Sequence, residues 1–86
     1  MIQDKSLSFG LQNFLYLKAD ETTNVTYNYY GFMDKKGLVL VMRTDKDANV
    51  ALYYVSVGDF ATVFAFPALT TYTYDYPSNL KELFVD

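Results

Sequence analysis

NVTYNYYGFMDKKGLVLVMRTDKDANVALYYVSV, residues 24–57, alternates dense apolar runs with short polar clusters. Residues 24–33 are rich in β-branched and aromatic side chains. Asp34, Lys35, Lys36 and Gly37 make a polar turn. Residues 38–44 form a compact apolar run, 45–49 a second polar turn, and 50–57 another β run closed by Gly58. Three strand-like runs joined by short turn clusters predict an antiparallel meander. Asp and Asn favour such turns through local side-chain bonds, and Gly37 can take φ > 0 without a Cβ clash.

The second run is apolar on both faces. Leu38, Leu40 and Met42 point one way, and Val39, Val41 and Arg43 the other. In the third run Val50, Leu52 and Tyr54 oppose Ala51, Tyr53 and Val55. A sheet with one wet face alternates polar and apolar residues. Both faces of this sheet are therefore expected to be covered, one by the rest of the chain. The other cover is the N-terminal segment or another subunit.

Downstream, Asp59 is placed to cap a helix. Phe60, Val63 and Phe64 fall at i, i+3 and i+4, which predicts a short helix over 60–65. Val and Phe also suit a strand, the competing reading. Pro67 ends the segment, because the residue before a proline avoids the α region. Residues 68–76, ALTTYTYDY, read as extended, with Tyr72, Tyr74 and Tyr76 on one face and Thr71, Thr73 and Asp75 on the other. Ser78 is a candidate cap for one more helical turn. Upstream, residues 11–19 read as a strand or a short helix and 20–23 as a loop. Residues 1–6 read as a loose arm or a segment ordered by a partner. The expected fold is a single domain over 1–86, mainly β (a β-rich α+β chain). It holds a small antiparallel meander of three or more strands and one short helix near 60–65.

Composition narrows the function. With 86 residues the chain buries a modest core, and small domains lean on disulfides, metals or association. It has no Cys and no His, which leaves association. Nine Tyr and seven Phe in a chain 51% hydrophobic exceed what so small an interior holds, so some rings are expected at an interface. The net charge is −3, and the one basic cluster, Lys35-Lys36, sits beside Asp34. Phosphate recognition needs clustered Lys and Arg, so no nucleic-acid partner is expected. No apolar run approaches the ~20 residues that span a bilayer, and the N-terminus lacks a signal pattern. The expectation is a soluble protein made in a cytoplasm, with no membrane partner.

Catalytic patterns are lacking. Asp45, Asp47 and Asn49 begin like a calcium loop, but Val50 stands where Gly is required and Ser56 where a bidentate Glu is required. The stretch reads as an acidic hairpin turn. Asp34 and Asp45 fall in turn clusters and are expected to be solvated, whereas paired carboxylates need burial or close apposition for acid–base work. Gly31 and Gly37 do not form a phosphate loop. Asn24-Val25-Thr26 matches a glycosylation sequon without a secretion signal. No enzyme activity, cofactor, metal or small-molecule ligand is expected.

Two features remain. Arg43, the only arginine, is either a sheet-edge or strand-end charge with a packed stem and a hydrated head, or an interface anchor for a partner carboxylate. Tyr72, Tyr74 and Tyr76 either pack on the meander, join a neighbouring subunit or stack on a sugar. Arg43 and these three tyrosines are the candidate interface residues.

Tyr29 to Gly31, the two polar turns, Tyr53-Tyr54, the segment from Ala61 to Ala65 and the extension from Leu69 to Tyr72 together resemble small proteins encoded among the structural genes of tailed bacteriophages. The resemblance spans about residues 24–76. The chain departs from that pattern in having no Trp. The resemblance implies a non-enzymatic virion component, assembled in the host cytoplasm, whose partners are other virion proteins and copies of itself. From another class, the tyrosines suggest a module that binds a glycan or a host surface.

Overall fold

The computed structural model describes residues 14–48 and 50–76. Its scaffold is a four-stranded antiparallel sheet of β1 (Phe14–Asp20), β2 (Tyr27–Asp34), β3 (Leu38–Asp45) and β4 (Ala51–Val57), in the order β1-β2-β3-β4. The meander over 24–57 is as expected, and the undecided segment before it is a strand. The loose arm at 1–6 and the helical turn at Ser78 lie outside the described residues.

The turns form as their residues dictate. Asp34 Oδ1 accepts from the N–H groups of Lys36 and Leu38 at 2.9 and 2.8 Å, and Gly37 sits at φ 93°. Between β3 and β4, Asp45 Oδ1 accepts from Asp47 N–H at 2.8 Å. Before β2, Asn24 Oδ1 accepts from Thr26 and Tyr27 N–H. Each carboxylate or amide meets backbone donors that would otherwise lack partners at the strand ends.

The register gives the sheet its two faces. Tyr29, Arg43 and Leu52 stand across from one another, as do Gly31, Val41 and Tyr54. Residues 59–74 cover this first face. Tyr29, Val39, Val41, Val63, Phe64 and Leu69 form its buried core, with Tyr54, Phe60, Phe66, Tyr72 and Tyr74 packed around them. On the second face Leu40 and Tyr53 are buried among Phe14, Phe32, Met42, Ala51 and Val55. Both faces of β3 are dry, as its two-sided apolar pattern required.

The cover begins with helix α1 (Phe60–Val63), shorter than the expected 60–65. Asp59 caps it: Oδ2 accepts from Thr62 N–H at 3.1 Å and from Thr62 Oγ1 at 3.0 Å. Phe60 and Phe64 stack at 5.5 Å over Gly31, whose missing Cβ makes room for them.

The extended reading of 68–76 is corrected. Ala68–Thr70 is a 3-10 turn that follows a cis Phe66–Pro67 bond. Thr70 Oγ1 donates to Pro67 O and Thr71 Oγ1 to Ala68 O, both at 2.7 Å. Threonine hydroxyls that reach back three residues satisfy the turn's carbonyls, which outweighs the β preference of the same residues. Extended pairing is confined to the end of the stretch, where Tyr53 and Asp75 exchange two backbone hydrogen bonds, 2.7 and 2.8 Å, at the outer edge of β4.

Candidate functional site

Arg43 lies on β3, which has β2 on one side and β4 on the other, so the sheet-edge reading of this residue is corrected. Its side chain rises on the first face beside Tyr29 and Leu52. The guanidinium carbon sits 4.1 Å from the ring centroid of Tyr27 and 4.6 Å from that of Tyr74. The head is held in contact with two π faces. β2 supplies the first ring, two residues from Tyr29 on the same face, and the segment after the 3-10 turn supplies the second.

The tyrosine run divides. Tyr72 stacks on Tyr54 at 3.9 Å and 6° and donates its hydroxyl to Val63 O at 2.8 Å. Tyr74 packs against Tyr29 and Tyr54 and donates to Leu69 O at 2.7 Å. Each of these rings covers the sheet and each hydroxyl meets a carbonyl of the covering segment. Tyr76 differs: it is 57% exposed. Its backbone N–H donates to Asp75 Oδ1.

Burial sets the ionisation of this cluster. Desolvation raises the pKa of Tyr74 well above the ordinary tyrosine value, although the Arg43 charge pulls the other way. Tyr29 and Tyr72 shift upward for the same leading reason. A phenolate in an apolar pocket loses its hydration, so the neutral form is favoured.

Beside Arg43 lies a cavity of about 150 Å³ lined by Tyr27, Arg43, Asp45, Val50 and Leu52. The sequence reading named Arg43 and Tyr74 without Tyr27. The signal was present: Tyr27 and Tyr29 share the face parity that the meander register gives Arg43. Among the described residues no group of three or more His, Cys, Asp or Glu is placed to hold a metal ion. None of the described helices is long and apolar enough to cross a membrane.

A second surface was not foreseen. Among the described residues β1 is the terminal strand, and it exposes Leu15, Tyr16 and Leu17 at 69%, 54% and 44%. Its register shifts between Tyr16 and Lys18, a bulge that disturbs the alternation by which a strand is recognised.

Comparisons with known protein families, with curated proteins and with solved structures find no match.

Proposed function

We propose that this protein is a non-enzymatic structural component of a tailed-phage virion, joined to other virion proteins and to copies of itself through apolar and aromatic surface. The observation that carries the reading is β1, terminal in the sheet among the described residues, with Leu15, Tyr16 and Leu17 exposed in sequence. A strand at the end of a sheet offers backbone groups for pairing with another chain, and contiguous exposed apolar residues mark interaction sites. The resemblance of residues 24–76 to phage structural proteins supplies the setting.

A glycan- or host-surface-binding role for the tyrosines draws less support. Such a platform needs open ring faces. Tyr72 is stacked on Tyr54 and Tyr74 lies against Arg43, which leaves Tyr76 alone of the three.

Mass spectrometry of purified phage particles from a genome that carries the gene is the direct test. Peptides of this chain should appear at a fixed ratio to the major capsid or tail proteins. Their absence from particles, or a gene located in a metabolic operon, would sink the proposal.

A further inference from the structure

We propose that Arg43, held against Tyr27 and Tyr74, is the receptor for one carboxylate side chain of an acidic segment on a partner polypeptide. The proposal takes its occupant from the assembly reading above, but it stands on a different surface from β1.

The guanidinium is built into place. Two rings contact it at 4.1 and 4.6 Å, and Tyr74 is fixed in turn by its bond to Leu69 O. Among the described residues no carbonyl or carboxylate accepts a hydrogen bond from Arg43, and none pairs with its charge. A guanidinium carries five N–H donors in a rigid fork. Ring faces satisfy its charge in part and its in-plane donors not at all. The natural complement is a planar carboxylate approaching in the guanidinium plane, with two parallel N–H···O bonds.

The adjoining cavity selects the occupant. At about 150 Å³ it falls below the ~300–1,000 Å³ of small-molecule sites and suits one side chain. Val50, Leu52 and the Tyr27 ring offer apolar wall to the methylenes of a Glu or Asp. A phosphate dianion fits worse, because one fixed cation faces it and Asp45 lines the same cavity. The nearby Lys46 Nζ is engaged with Glu21 O at 2.9 Å. Asp45 also opposes a carboxylate, at half the charge, so it tunes affinity downward.

Because Arg43 is the only arginine, its Nε–H gives a single, unambiguous NMR signal in the ¹⁵N-labelled chain. The probes are acetylated, amidated Ala-Glu-Ala, its Ala-Gln-Ala counterpart, and inorganic phosphate. The expected result is a saturable downfield shift of Arg43 Nε–H with the Glu peptide, at a Kd of ~1–10 mM, as befits one isolated ion-pair contact. The Gln peptide should leave the signal in place. Asp45→Asn should tighten Glu-peptide binding ~3-fold, the size of one exposed like-charge contact. Arg43→Lys keeps the charge and loses the fork, so the amide shifts of Tyr27 and Leu52 should no longer respond.

No saturable shift, an equal response to the Gln peptide, tighter binding of phosphate, or an unchanged response in Asp45→Asn would each overturn the proposal. The two readings fail separately. A silent Arg43 in a chain that still associates through β1 removes this site alone, and a responsive Arg43 in a protein absent from particles removes the virion role alone.

Discussion

A Cβ on Gly31 would stand 2.6 Å from Phe60 Cζ and 2.8 Å from both Phe60 Cε1 and Phe64 Cδ1. Those rings are stacked on each other, so neither moves without its neighbour. Gly31→Ala is expected to cost ~1–3 kcal/mol, the usual range for overpacking, measured by urea denaturation. Phe60→Leu in the same chain should return part of that loss. The tyrosine hydroxyls give a second residue-level prediction. Tyr74, Tyr29, Tyr72 and Tyr53 have folded pKa values raised above 10.0, chiefly by burial. A raised folded pKa means that above pH 10 the unfolded chain releases protons the folded chain retains. This part of the stability is therefore complete below about pH 10 and is lost as pH rises through the folded values. Melting temperature should fall on the alkaline side of pH 10, and Tyr74→Phe should shallow that fall. At neutral pH the same variant should lose ~0.5–1.5 kcal/mol, because Leu69 O loses its donor. Parity along β3 was enough to place Arg43 on the face it shares with Val39 and Val41. The contact with Tyr74 was not legible, because it depends on how the residues after Pro67 fold back over the sheet.

At the scale of elements, the three-run meander was legible because each run is bounded by Asp, Asn or Gly at the position where a turn needs it. Helix α1 was legible from Asp59 and the spacing of Phe60, Val63 and Phe64. A single turn of helix has little stability of its own, so it depends on its cap and its packing. Asp59→Ala should cost ~1 kcal/mol, while Asp59→Asn, which keeps an acceptor at the same place, should cost much less. Chemical denaturation of the pair checks this. Two elements were not legible, for different reasons. In β1 the bulge at Leu17 and the run of exposed apolar residues erase the period-2 signal. After Pro67, the β-branched Thr70 and Thr71 suggest a strand, yet their hydroxyls close a 3-10 turn. Composition does not distinguish those uses of threonine; the position of an acceptor three residues back does. The turn's buried anchor is Leu69, fully excluded from solvent, and Leu69→Ala should cost ~2–5 kcal/mol.

For the molecule as a whole, association through β1 predicts a melting temperature that climbs with protein concentration, since binding of a folded partner stabilises by mass action. Leu15→Lys together with Leu17→Lys should abolish that dependence and leave a folded monomer in sedimentation velocity. A concentration-independent melting point in the unmodified chain would remove the edge-pairing argument. The two-bond bridge between Tyr53 and Asp75 then acquires a consequence for the kind of object the protein can build. It occupies part of the rim beyond β4, so among the described residues that flank carries a bridge that the β1 flank lacks. A building block with a single sticky flank closes on itself as a two-fold pair; one with two sticky flanks propagates without end. If the chain associates as proposed above, the Asp75 bridge limits growth at that flank. Asp75→Pro, which deletes the donated bond of the bridge, should turn a finite assembly into one whose light scattering keeps rising.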